Sequence, residues 1–464
     1  MILRKNANLI IATGVVITIN YIIGAILGSS IFLIGMMLFG LLLLSLKCDG
    51  DTLNYFMVCT VLQNFVLVIC SSYMNGTETQ LIILLKELIV YACGAIYFVK
   101  HRLTRVELTD CIFVLFIFYS LFNIAALSPS FGSGIIGFRQ LLVIFMCFYF
   151  GRAIKLNSEE QISVILQYIV GAAIIISVVG FIIMLIPGNV WENIGYGKYW
   201  YNKTGTTNYS YINFYTWDFG KELKRFVSIF ADPLACAHFL GIAFVIMFIQ
   251  TKRRILQKLI VVLALIFGMS KASVVLIVCI IGVKNYSKIK SSFMRGIFIF
   301  LLACMGGLGI VYLSRYTSSL QRATSIGNHF SAFLYGINNI SLLGSGYGST
   351  GYNAIMMGAE VNSKFGESFF ATCIGQIGIL GTSLLYFFII IIGIDIFKRY
   401  RYYSRECDLI SLILIVSVTL ESLFSASAIS MLGTGFYFIL AGISAGFGER
   451  RKELCVHTHF TFKI

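Results

Sequence analysis

The sequence predicts an all-α polytopic membrane protein with about 12–14 transmembrane helices, and three observations predict it. Hydrophobic residues make up 58% of the 464 positions and charged residues 12%, with a mean hydropathy of +0.89, far from the composition of soluble domains. Apolar runs of roughly 17–25 residues, enough to cross about 30 Å of hydrocarbon as helices, recur from one end to the other. The basic residues gather in alternate connecting turns, as the charge bias of membrane proteins demands.

Taken in order, the apolar spans are 8–27, 29–46, 53–71, 81–99, 111–127, 137–154, 163–187, 234–250, 256–270, 272–283, 296–313, 369–396, 408–424 and 427–446. Strict alternation from a cytoplasmic Arg4-Lys5 puts on the inner side Lys47, Lys100/Arg102/Arg105, Arg152/Lys155, Lys252/Arg253/Arg254/Lys258, Lys284/Lys288/Lys290/Arg295, Lys398/Arg399/Arg401/Arg405 and Arg450/Arg451/Lys452/Lys463. That is 24 of the 35 Lys and Arg, which supports an even number of spans with both ends inside. The net charge of +15 therefore reads as topology, and no nucleic-acid partner is expected because no single basic patch exists. The Arg4-Lys5 head and the apolar run after it read as an uncleaved first span, since no clear cleavage site precedes the second run.

The twelve cysteines fall mostly inside spans or at inner ends, such as Cys48, Cys407 and Cys455, and read as small core residues. No CxxC or His/Cys ligand spacing occurs, so neither a metal nor another cofactor is expected. Asp49-Gly-Asp51 matches the metal-binding DxD of nucleotide-sugar transferases, but it occupies a short inner turn with no domain around it.

Residues 1–464 read as a single integral membrane domain interrupted by two long outer segments, 188–233 and 314–368, too long to be simple connectors. The first holds all three tryptophans, Trp191, Trp200 and Trp217, with Tyr196, Tyr199, Tyr201, Tyr209, Tyr211 and Tyr215 between them. Such rings suit stacking on sugar faces; they suit an interfacial aromatic belt or loop packing as well. Pro187 and Pro233 bracket this segment, where a proline costs no interior helix hydrogen bond.

Outer-face cations that can meet a phosphate are Arg139, Arg225, Arg315, Arg322 and Lys271, the arginines offering bidentate donors. Each alone suits a snorkelling or headgroup-binding role equally. Gly344-x-Gly346-x-Gly348 lacks the strand and lysine of a nucleotide loop and reads as a tight re-entrant turn whose backbone approaches other groups closely. Glu367, at the mouth of a long apolar run, can act as a general base when partly desolvated, or simply as an acid at a helix N-terminus. His329 can do the same proton transfer, or be a loop histidine with no role.

The order of these features, Arg225-Phe-x-Ser-x-Phe-x-Asp-Pro233, Ser270-Lys271-x-Ser273, Arg322 followed by Gly344-x-Gly346-x-Gly348, then Glu367-Ser-Phe leading to Gly378-Ile-Leu-Gly381, resembles the O-antigen polymerase (Wzy) and O-antigen ligase (WaaL) superfamily over roughly 137–446. The resemblance implies a GT-C-like helical bundle in a bacterial inner membrane, with both long segments periplasmic and the active face on that side. It implies a glycan on undecaprenyl diphosphate as donor, a second lipid-linked repeat unit as acceptor, and leaves a chain-length-regulating partner open. By the resemblance, Arg225 and Arg322 take the place of diphosphate-binding arginines, with Arg139 and Lys271 as further cations. Glu367 stands where ligases have a catalytic histidine. That departure favours the polymerase, with Glu367 or His329 as base and Trp191, Trp200, Trp217 and Tyr215 against the glycan. The mechanism implied is metal-independent displacement at the donor's anomeric carbon, with the diphosphate leaving. A ligase that moves chains to lipid A core is the alternative within the family. A flippase for lipid-linked oligosaccharides is the alternative of another class, and the aromatic segment without a counterpart in the N-terminal half fits it less well.

Overall fold

The structure, a computed structural model, describes residues 48–102, 106–156, 158–205, 214–218, 221–250, 255–268, 271–289, 291, 325–351, 365–366 and 368–461. It is mostly helical, and six helices among the described residues are long and apolar enough to cross a membrane: Gly50–Tyr73, Gly76–His101, Leu108–Ala126, Phe131–Ala153, Glu159–Leu185 and Phe369–Tyr403. Spans 8–27, 29–46 and 296–313 lie outside the described residues.

In chain order the helices are α1 (Gly50–Cys70), α2 (Gly76–Tyr97), α3 (Leu108–Ala126), α4 (Phe131–Ala153) and α5 (Glu159–Leu185). The segment after α5 carries the short helices α6 (Val190–Asn193) and α7 (Tyr196–Thr204) and an antiparallel hairpin of β1 (Tyr215–Asp218) and β2 (Lys221–Lys224), with Tyr215 opposite Lys224. Then come α8 (Pro233–Ile249), α9 (Ile255–Gly268), α10 (Lys271–Lys288), α11 (Ser325–Asn338), α12 (Phe369–Tyr403), α13 (Glu406–Ser422) and α14 (Gly435–Thr461).

Short polar side chains start these helices by supplying acceptors to their first backbone N–H groups. Asp49 accepts from Asp51 N and Thr52 N at 3.1 and 3.2 Å and forms a capping box with Thr52, so the Asp-x-Asp pattern serves as a helix start. Asn75 and Glu78 form the same box on α2. Asp232 caps α8 at Leu234 N and Ala235 N, 2.9 and 3.0 Å, with Pro233 in the first turn where its missing N–H costs nothing.

The chain divides into two compact units. The first comprises Met1–Thr104, Met146–Ser273 and Met431–Ile464. Its core is an aromatic cluster in which Phe56 meets Phe150 and Phe436 with ring centroids 5.5 and 5.3 Å apart, and Phe239 meets Phe436 and Phe230. The second comprises Arg105–Phe145 and Val274–Ser430, and its core stacks Phe116 and Phe388 on Phe145 at 4.6 and 4.3 Å.

Candidate functional site

In the second unit the chain breaks a membrane helix and repairs it with a loop. Gly378, nine residues into α12, has φ +59° and ψ −172°, about 14 Å along the helix at 1.5 Å per residue. At hydrocarbon depth every freed backbone group needs a partner inside the protein. The segment after α11 supplies them in kind: Ile379 N and Leu380 N, which an unbroken helix would bond to Gly375 O and Gln376 O, donate to Ser341 O and Leu342 O at 2.9 and 3.3 Å. The two vacated carbonyls accept from Ser345 N and Gly346 N at 2.8 and 3.0 Å. Glycine is required for that contact, because a Cβ on Gly344 would stand 2.4 Å from Gln376 O and one on Gly378 would stand 2.4 Å from Leu342 O. Gly344, Gly346, Gly348 and Gly351 all have positive φ, the close-approach turn expected of this run.

Side chains from α3 lock the joint. The Tyr119 hydroxyl lies 2.6 Å from Ile377 O and 3.0 Å from Leu343 O. The Asn123 amide donates to Leu343 O and Gln376 O at 3.1 and 3.3 Å and accepts from Tyr347 N at 2.9 Å. Tyr347 is fully buried, its hydroxyl 2.7 Å from Ser120 Oγ, and Gln376 Nε2 donates to Thr350 O at 2.6 Å. Asn123→Ala deprives a buried N–H and a buried carbonyl of this partner and is expected to destabilise the protein by about 2–4 kcal/mol. Thermal unfolding in detergent reads it, and an unchanged midpoint would mean that the backbone ladder alone holds the loop.

The helix that resumes this loop opens at Ser368, whose hydroxyl accepts from Ala371 N at 3.2 Å and donates to Leu423 O at 2.7 Å. Glu367 and Arg322, the proposed base and one proposed diphosphate ligand, lie outside the described residues, as does Arg315. His329 sits half-buried on α11 beside Phe330, which stacks on Phe424; the same helix packs Gly336 against Ala371. Arg139 is half-buried on α4, two residues past Gly137, where a Cβ would meet Gly348 N at 2.9 Å.

In the first unit the described residues of the 188–233 segment are packed onto the helices. Asn202 Nδ2 donates to Ser71 O and Met74 O at 3.2 and 2.8 Å, tying α7 to the turn after α1. Tyr199 donates to Asn64 Oδ1 and Asn64 donates to Phe230 O. Burial, with the Asp232 charge adding to it, pushes the Tyr199 phenol up, so it stays a protonated donor. Trp191 is 2% exposed, stacked on Phe214 at 6.5 Å and edge-on to Phe65 at 6.0 Å, so its faces pack the segment. Trp200 is half-buried, with one face on Tyr196 and the Lys203 ammonium 5.5 Å from its ring. Tyr215 is half-buried at the start of β1; Trp217 lies on the same strand, and only its backbone is described.

Arg225 follows β2, with its N–H donating to Phe214 O at 2.7 Å. It lines a small pocket with Asn189, Trp191, Phe214, Lys224 and Ser228 against the end of α5. Trp191 Nε1 and Asn189 Nδ2, both on this lining, are buried donors with no acceptor among the described residues. Lys224 donates to Ile186 O and Gly188 O at 3.2 and 2.9 Å, the carbonyl end of α5. Among the described residues no carboxylate lines the pocket, so what they offer is N–H groups and positive charge to an oxygen acceptor. Lys271 opens α10; nothing of its side chain is described.

The sequence reading of this unit passed over Lys86 and Glu87, adjacent residues ten positions into α2, buried at 6% and 8% exposure. Their signal was there to read, two charges inside the apolar run 81–99, where an ionisable group is a functional candidate by default. His238 in α8 is also buried, its Nδ1 2.7 Å from Leu234 O and its ring 6.1 Å from that of Tyr437. In the second unit, Glu421 is buried near the end of α13. A single charged residue near a span end gave no signal that separates it from an ordinary interfacial one. No family model matches the chain, and no curated protein matches it.

Proposed function

We propose that this chain is a membrane glycosyltransferase that joins undecaprenyl-diphosphate-linked repeat units at the periplasmic face of a bacterial inner membrane, an O-antigen polymerase. What supports the reading is the pocket at Arg225, lined among the described residues by no carboxylate but by Arg225, Lys224, Trp191 and Asn189, the last two with buried side-chain donors that have no acceptor there. At about 10 Å³ the pocket has room for a single oxygen, and N–H donors with a guanidinium suit one phosphoryl oxygen there without a metal. The motif order from Arg225 to Gly381 supports the same reading.

In this mechanism Arg225 and Arg322 stabilise the charge that develops on the departing diphosphate, with Arg139 and Lys271 as further cations. Glu367, or His329 in its place, takes the proton of the attacking sugar hydroxyl. Trp200, Trp217 and Tyr215 supply ring surface to the glycan, and Trp191 supports them from within the segment. No cofactor enters the scheme, since the phosphodiester donor is already activated. A broken helix is also a device of transporters, the other class considered. Here the carbonyls of Gly375, Gln376 and Ile377 at the break accept from protein donors, which favours a structural joint over a cargo site.

The test is surface lipopolysaccharide banding in a strain lacking the gene and complemented with wild type, Arg225→Ala, Arg322→Ala or Glu367→Gln, with protein levels matched. A core carrying one repeat unit, restored to a ladder by wild type and not by the variants, is the expected result, with ladder intensity down at least about a hundredfold for the loss of a charge-stabilising donor. A bare core in the deletion strain would point to the ligase or the flippase. Full ladders from all three variants would remove the assigned residues.

A further inference from the structure

The hydrogen-bond donors that line the Arg225 pocket are only partly satisfied. Three lining residues have acceptors: Lys224 Nζ donates to Ile186 O and Gly188 O, Arg225 N donates to Phe214 O, and Ser228 Oγ donates to Ile176 O at 2.6 Å. Two others do not. Trp191 is 2% exposed and Asn189 is half-buried, and Trp191 Nε1 and Asn189 Nδ2 are both buried atoms with no acceptor among the described residues. Exchanging the two ends of the Asn189 amide is no remedy, because its Oδ1 already accepts from Trp191 N at 3.2 Å. A buried donor left in this state costs free energy, and a water or an ion that meets it is the usual explanation.

The size of the space and the charge of its lining decide between those two. At about 10 Å³ it takes one atom of roughly the size of a water oxygen. A water there would accept from the two donors and then turn its own hydrogens on a lining that carries the Lys224 and Arg225 charges, with no carboxylate among the described residues to receive them. A monoatomic anion accepts from every direction, donates nothing and is attracted by both cations. We propose that this pocket is a binding site for a single halide ion, chloride, held by Trp191 Nε1, Asn189 Nδ2 and the positive charge of Arg225 and Lys224. A polyatomic anion can place only one of its atoms in the same space, so chloride and a phosphoryl oxygen exclude each other. The site rests on its own lining and not on the transferase reading: binding needs neither donor nor acceptor glycan, so a lost lipopolysaccharide ladder and lost chloride binding are separate results.

The test uses the full chain in detergent, with chloride varied at constant ionic strength against gluconate. The chlorine NMR line of the free ion is expected to broaden in the presence of wild type, to sharpen again as bromide displaces the bound ion, and to do both saturably. The thermal unfolding midpoint should rise with chloride over the same range, as it does for any ligand that binds only the folded state. Arg225→Gln should weaken binding at least about tenfold and Trp191→Phe, which keeps the ring but not the donor, about fivefold. Arg225→Lys, which keeps the charge, should lie closer to wild type than Arg225→Gln. No saturable broadening from wild type overturns the proposal and assigns the space to water. An unchanged wild-type midpoint across the series also overturns it, as does undiminished binding by folded Arg225→Gln and Trp191→Phe, which would put the ion elsewhere.

Discussion

Gly378→Ala will leave little folded protein, although alanine is the better helix former at almost any other position of a helix. The combination of φ +59° and ψ −172° is open in practice only to glycine, and forcing another residue into it costs on the order of 1–3 kcal/mol. The added Cβ would also stand 2.4 Å from Leu342 O and 2.5 Å from Gly344 N, backbone atoms that cannot step aside without breaking the ladder between the loop and α12. Together these place the expected loss above about 4 kcal/mol, in the exceptional class for one substitution. Gly344→Ala should behave in the same way, for it meets the same contact from the other side. Gly393→Ala in the same helix is the control: its Cβ has only an ordinary 3.7 Å contact with Ile415 Cγ2, and a gain of about 0.5–1 kcal/mol is expected. Fluorescence-detected size exclusion and thermal unfolding of the three variants decide it; equal behaviour of Gly378→Ala and Gly393→Ala would show that the break is not obligatory.

Glu449→Gln is the second large effect. Arg152 is 1% exposed and its guanidinium pairs with the Glu449 carboxylate, which also accepts from the Tyr97 hydroxyl at 3.3 Å. The pair sits where α4 and α14 come into backbone contact: a Cβ on Gly151 would meet Ile439 O and one on Gly442 would meet Phe148 O, each at 2.1 Å. Small residues let the helices approach this closely and keep Arg152 buried, while the Glu449 side chain is 26% exposed. Removing the carboxylate's charge takes a counter-charge from this buried guanidinium, with an expected loss of about 1.5–3 kcal/mol. The double variant Arg152→Met/Glu449→Leu removes both charges and should recover most of that loss. Thermal unfolding in detergent distinguishes the cases, and a double variant as unstable as Glu449→Gln would mean that the pair contributes more than mutual neutralisation.

Much of the scaffold was legible because its cause is local. From α1 onward the apolar runs other than 296–313 correspond to described helices, and the starts at Asp49, Asn75, Asp232 and Ser368 follow from side chains within three residues of the N–H groups they cap. The runs 256–270 and 272–283 read as two short spans, and α9 and α10 are separate helices there. Folding within 188–233 was not legible: α7 and the hairpin are held by Asn202, Asn64 and Lys224 reaching residues 36 to 135 positions away in sequence. Of the candidate site, the cations and rings could be named one by one. What sequence reading could not say is that Trp191 faces inward and lines the pocket beside Arg225.

By itself the sequence determined that this is a helical membrane protein, since hydropathy integrated over some twenty residues is a property of composition and needs no fold. It also marked the glycine run 344–348 as a place where backbone must come close. Only the tertiary structure decided what comes close to what. The exchange of hydrogen bonds between residues 341–346 and 375–380 and the Arg152–Glu449 pair both join residues far apart in the chain. Partners of that kind are chosen by packing and by the need to satisfy polar groups away from water, and no local pattern encodes them.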